Sequence, residues 1–218
     1  LVTGVQTCAL PISMILTSPR IQGVTPDTDI TVQGGVLGLE SYTDLGGSFT
    51  NTVTVATDAI FDLYNLVQPI NWTLALADGA RLSIRSGNTN HNTWLGPVTL
   101  TGGQAILDGS TGYGHNTIMG QITGEGGLRK AYGGFTYLLN TANTFTGAIS
   151  VINGSLYAYA PGSTPTAPAA LSVSGTGEFV VRNAADGWSL AQIEALAASG
   201  AFQSRSAFLG IDTTADLT

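Results

Sequence analysis

From Met14 onward the chain is built of short runs in which every second residue is apolar, separated by clusters of Gly, Asn and Asp. Asp29-Ile30-Thr31-Val32-Gln33 ends at Gly34-Gly35, and Asn51-Thr52-Val53-Thr54-Val55-Ala56 ends at Thr57-Asp58. Trp72-Thr73-Leu74-Ala75-Leu76, Arg81-Leu82-Ser83-Ile84-Arg85, Pro97-Val98-Thr99-Leu100-Thr101 and Gln104-Ala105-Ile106-Leu107 follow the same rule. Successive side chains of an extended chain point to opposite faces, so each run predicts a strand with one face buried. Many short strands at close spacing exclude a doubly wound α/β fold and leave a sandwich, a barrel or a solenoid.

An internal similarity favours the solenoid. Asn92-Thr93-Trp94-Leu95-Gly96-Pro97-Val98-Thr99-Leu100 aligns with Asn143-Thr144-Phe145-Thr146-Gly147-Ala148-Ile149-Ser150-Val151, at an offset of 51 positions. That interval would hold two solenoid coils, since such repeats run from about 20 to 45 residues. The expectation is a parallel β-solenoid of about four to nine coils over residues 14–183. Val98, Leu100, Ile149 and Val151 should point inward. Gly96 and Gly147 should take positive φ or lie too near the next coil for a Cβ. The two Asn amides should satisfy backbone groups at the corners or stack between coils.

The tail changes character. Tyr159 to Pro168 is Pro-, Ser- and Thr-rich and predicts a loop, and Leu171 to Arg182 returns to alternation with Phe179 and Val181 on one face. Trp188 to Ala198 predicts a short helix, with Ser189 and Gln192 as a capping box and Gly200 as its stop. Leu190, Ile193, Leu196 and Ala197 form its expected apolar face, suited to covering a flank of the solenoid. Ser206 to Thr218 predicts strand again, and both chain ends are expected to be cuts.

Composition narrows the function. The 218 residues include 29 Gly, 43% are hydrophobic and only 10% are charged, so the chain folds. Seven Lys plus Arg against fourteen Asp plus Glu give a net charge of −7. That balance lacks the basic footprint required for nucleic acid or an anionic lipid surface. No run of about 18 apolar residues occurs, so no transmembrane helix is expected.

Two resemblances refine the picture. Gly124-Glu125-Gly126-Gly127-Leu128-Arg129-Lys130, Asn143-Thr144-Phe145-Thr146-Gly147 and Asn153-Gly154-Ser155-Leu156 are together similar to the autotransporter-associated β-strand repeat. The specific stretch covers Ile122 to Tyr159, with a fainter echo at Asn92 to Ile106. Between Lys130 and Asn143 the chain carries about one residue more than that pattern, which a small bulge or longer turn would absorb. The resemblance implies a right-handed parallel β-helix from a passenger-type protein, extracellular or at the outer-membrane surface. It also implies an exposed Lys130. Separately, Val2 to Ile12 reads VTGVQTCALPI and resembles a translated sequencing adapter. Residues 1–13, which hold the only cysteine, Cys8, are therefore set apart and expected to make few specific contacts. The division is then 1–13 adapter-like, 14–183 solenoid, and 184–218 a short helix and the start of a further β segment.

Candidate chemistry is sparse. Gly124-x-Gly126-Gly127 lacks the ending of a phosphate loop and suits coil corners better. His91 and His115 lie in turns without acidic or Cys neighbours, and metal sites need three or more converging ligands. Asp27 with Asp29, or Asp58 with Asp62, could act as acid and base, but turn and cap aspartates are commoner. Trp72, Trp94, Tyr132, Phe135, Tyr137, Phe145, Tyr157 and Tyr159 either line the surface and stack on sugars or divide between core and surface. No catalytic, cofactor-binding or metal residue is therefore assigned, and no cofactor is expected. The leading expectation is a non-enzymatic structural and adhesive module. Its partners would be a surface polysaccharide, a host or matrix ligand, and adjoining repeats of the same chain. The alternative is a carbohydrate-active β-helix enzyme, a polysaccharide lyase or hydrolase.

Overall fold

The alternating runs assemble into two parallel sheets that wind as a β-solenoid of about 6 turns, with 48% of residues in strands. The computed structural model describes residues 6–8, 13–17, 29–40, 45, 51–85, 91–109, 115–167 and 169–213. In the first sheet Ile30 pairs with Val53, Val53 with Leu74, Leu74 with Val98 and Val98 with Ile122, steps of 23, 21, 24 and 24 residues. Each coil then enters the second sheet. Its first column comprises Ser13–Thr17, Val36–Glu40, Ile60–Tyr64, Arg81–Arg85, Gln104–Leu107 and Gly127–Lys130. A second column begins with His91–Trp94, His115–Ile118 and Phe135–Leu138. The ten-residue strand Ile149–Ala158 pairs with both columns at once and fuses them, at a register irregularity between Val151 and Asn153. The twelve-residue strand Leu171–Arg182 continues the fused sheet.

Alternation puts Val53, Val55, Leu74, Leu76, Val98 and Leu100 inside on one sheet, facing Phe61, Leu63, Leu82, Leu107 and Leu128 on the other. All are at most 1% exposed, so each coil supplies a full set of desolvated apolar side chains to a continuous core. Val98, Leu100, Ile149 and Val151 are among them, as expected.

The 51-residue overlay itself is not a structural repeat. Val98 lies in the first sheet, paired with Ile122, whereas Ile149 lies in the second, paired with Leu128. The segment beside Ile122–Gly124 is Asn143–Thr146, whose Thr144 and Thr146 amides donate to the Ile122 and Gly124 carbonyls. The two copies share turn chemistry at different corners. A Cβ on Gly96 would lie 1.9 Å from the Trp72 carbonyl oxygen, and one on Gly147 would lie 2.3 Å from the Gly126 carbonyl carbon. Both positions demand glycine by close approach and not by positive φ. The Asn residues do tie coils together. The Asn92 Oδ1 accepts from the Leu66 amide at 2.9 Å, while the Asn143 side chain joins the Ile122 amide to the Ser163 carbonyl.

At the start of the chain, Gln6–Cys8 pairs in parallel with Ile30–Val32, and Ser13–Thr17 with Val36–Glu40. The leading segment thus takes a place in the backbone ladder, unlike the few contacts expected. Ladder bonds use main-chain groups that every residue except proline carries in full, so pairing needs no selected side chain.

The helix spans Leu190–Ala198, opened by the reciprocal Ser189–Gln192 capping box and followed by Gly200 at φ 76°. Only Ile193 and Leu196 of the expected face are buried, and Leu190 is 66% exposed. Trp188 does more of the anchoring. Its ring meets Phe179 edge to face, and its indole N–H donates to the Ala158 carbonyl at 3.1 Å. Trp188→Phe keeps most of the buried surface and removes the indole donor from that carbonyl. It should lower the unfolding free energy by about 1–2 kcal/mol, read from urea denaturation. Beyond the helix, Phe208–Asp212 rejoins the sheet beside Glu178–Arg182.

Candidate functional site

Inward apolar residues force the residues between them outward, and in the second column these outward positions are rich in aromatic rings. The register places His115, Phe135, Ser155 and Glu178 in one row across four coils. Thr117, Tyr137, Tyr157 and Val180 form the row beside it. Within this face the His115 ring lies 5.1 Å from Phe135 and 5.3 Å from Tyr137, and Tyr137 lies 5.1 Å from Tyr157. Phe135 and Tyr137, two apart on one strand, hold near-parallel rings 27° apart. Phe135 is 36% exposed, while Tyr157 is nearly covered at 5%.

Carboxylates border the rings. The Ser155 hydroxyl donates to Glu178, and the Tyr157 hydroxyl donates to Asp212 at 2.7 Å. Burial, and then the hydrogen bond to the Asp212 carboxylate and its charge, push the Tyr157 phenol well above its ordinary range. Burial and the same carboxylate also raise Tyr137. Both phenols therefore stay protonated and can donate throughout the neutral range. At the rim, Arg182 stacks 4.4 Å over the Tyr159 ring and binds Asp186, which also accepts from the Tyr159 hydroxyl. A similar arrangement holds Tyr132, where the Arg81 guanidinium lies 4.1 Å over the ring and pairs with Asp108.

The eight aromatic residues singled out in the sequence thus divide by strand parity. Trp72, Trp94 and Phe145 are core, with Trp94 edge to face against Phe61. Tyr132, Phe135, Tyr137, Tyr157 and Tyr159 belong to the outer surface and its edges. Sequence spacing alone did not bring them together, because the four coils that align them are 20 to 24 residues apart. His91 and His115 are an adjacent pair in register for the same reason, their separation being one coil.

The other candidates fall elsewhere. Gly124 has φ 107°, and a Cβ there would meet the Leu100 carbonyl oxygen at 2.1 Å, as a coil corner requires. Asp29 accepts from the Thr52 amide of the next coil, and Asp27 lies outside the described residues. Asp58 occupies an exposed turn at φ 60°, while Asp62 is buried within its strand. Among the described residues no group of three or more His, Cys, Asp or Glu side chains could hold a metal ion. No helix among them is long and apolar enough to cross a membrane.

Lys130 corrects the expectation of a solvated charge. It shares the inward face with Leu128, stands in register between Leu107 and Val151, and is fully buried. Its methylenes fill a core position, and its Nζ donates to the Tyr132 carbonyl and to the Gly133 carbonyl at 2.7 Å. Burial lowers its pKa to about 7. Arg129, on the opposite face, is exposed. The corner Ala131–Gly134, where the extra residue relative to the repeat pattern falls, is the one that this ammonium clasps. No family model, curated protein or solved structure matches the chain.

Proposed function

We propose that this chain is a structural and adhesive module of a secreted or surface-displayed protein of the autotransporter-associated β-strand repeat type, working without catalysis. The observation that carries this reading is the outer face, where aromatic rings recur on adjacent coils of one parallel ladder. A solenoid coil pairs only with its neighbours, so such a ladder extends a binding face without needing a new core. Support for the repeat type comes from its motif residues, which occupy structural positions. Leu128 faces inward, and Gly126 and Gly147 touch across adjacent coils.

Two measurements test the reading. Beads coated with the chain should adhere to polysaccharide- or matrix-coated surfaces, and pectin, xylan and glucans should release no reducing ends or unsaturated products. Product release that disappears in Asp29→Asn would replace this reading with a carbohydrate-active enzyme. Beads that adhere to neither surface would remove the adhesive role.

A further inference from the structure

We propose that the outer face around Phe135 and Tyr137 binds a neutral, unbranched pyranose polysaccharide laid along the solenoid axis. The proposal rests on the adhesive reading above and names its partner. Three features of the face select this occupant.

The first is chemical. A pyranose ring offers patches of C–H groups and a rim of hydroxyls. The face matches them with the rings of His115, Phe135 and Tyr137, bordered by acceptors on Glu178 and Asp212 and the phenol of Tyr137. The second is periodic. The accessible rings stand on two successive coils, at His115 and then at Phe135 with Tyr137. Neighbouring strands lie about 4.7–4.9 Å apart, close to the length that one pyranose adds to an extended chain. A polymer with that repeat can set adjacent sugars on both coils.

The third is electrostatic. Glu178, Asp186 and Asp212 lie to the C-terminal side of these rings, and Arg182 is engaged by Asp186 and the Tyr159 ring. With a net charge of −7 on the whole chain, a polyuronate or sulfated chain is repelled. Asp186 is already paired with the Arg182 guanidinium, which leaves less charge for a basic peptide to neutralise at this rim. An uncharged chain meets neither obstacle.

Calorimetry on the full 218-residue chain would compare soluble neutral β-glucan and xylan with polygalacturonate, heparin and polylysine. Phe135→Ala and Tyr137→Ala should each weaken binding of the neutral polymer about tenfold, the scale of losing one stacked ring. Phe135→Leu keeps apolar bulk while removing the π face, so it carries the test if an alanine variant fails to fold by circular dichroism. It should weaken binding to a similar degree. Leu190→Ala, at an exposed position on the helix and outside the face, should leave binding within twofold. Absence of binding to both neutral polymers, binding unchanged by Phe135→Leu, or preference for a charged polymer would each overturn the proposal. If beads adhere to matrix while neutral glycan binding is absent, the proposal fails and the adhesive reading stands.

Discussion

Replacing Lys130 with alanine is expected to destabilise the chain by about 2–5 kcal/mol, the range for truncating a long side chain in a packed interior. Two losses combine. The methylene stem leaves a void between Leu107 and Val151, and the Tyr132 and Gly133 carbonyls lose their donor. Beside the tip of the side chain stands Gly154, which carries no side chain to fill the gap and where a Cβ would come 2.7 Å from Nζ. Lys130→Met, which keeps the stem, should recover much of the loss and separates packing from charge.

The same residue gives stability a definite pH dependence. In the fold its pKa is about 7, against an ordinary value of 10.5. Between these values the unfolded chain binds the proton and the folded chain releases it, so stability rises with pH across that window. The slope approaches about 1.4 kcal/mol per pH unit at most, and the full cost of burying the ammonium is present below pH 7. Tyr137 and Tyr157 are raised and act with the opposite sign above about pH 10, where the unfolded phenols ionise first. Urea titrations from pH 7 to 10 should therefore show rising stability in the parent and a nearly flat profile in Lys130→Met. A flat parent profile would show that the carbonyl cage holds the charged form without penalty.

Gly147→Val should cost about 3 kcal/mol, at the upper end of overpacking effects. An ideal Cβ there falls 2.3 Å from both the Gly126 carbonyl carbon and the Gly127 amide nitrogen. These are backbone atoms of the adjacent coil, tied by the Gly147 amide donating to the Gly126 carbonyl at 3.1 Å. They cannot rotate away as a side chain would, so the coil stack itself must open. Gly34→Ala is the matched control, since nothing lies within 4 Å of its added Cβ. It should change the unfolding free energy by no more than about 0.5 kcal/mol. Equal effects at both sites in thermal or urea unfolding would show that the corner is looser than the contact distances imply.

Strand parity made much of the fold readable in advance. Once Val98 and Leu100 are taken as inward, the faces of their neighbours follow, and the Ser189–Gln192 cap reads directly from local chemistry. Register was different. Asn-Thr-aromatic-x-Gly suits more than one corner, so aligning Gly96 with Gly147 joined two corners that the winding keeps apart. Contacts between coils are set by pairing over 20 or more residues, which no local pattern encodes. That is also why the spacing of the eight aromatic residues leaves open which of them share the outer face and which lie in the core. Lys130 was misplaced for another reason. Its parity with Leu128 pointed inward, and its charge outweighed that signal. A long stem that delivers its ammonium to corner carbonyls satisfies both demands.

The uneven coil lengths have a practical side. Phe135 pairs with Ser155 after 20 residues, whereas Glu178 pairs with Phe208 after 30, with a whole helix in between. Pairing stays parallel across the long step, so what the ladder regulates is where a strand returns, not how far the chain has travelled. Corners are therefore sites of free cargo. An inserted loop, helix or small domain at such a point meets little resistance from the stack, provided its two ends come back at the spacing of one coil. On that logic the Leu190–Ala198 helix is an insertion docked on the stack through Ile193 and Leu196, and the rungs on either side of it are the fixed frame.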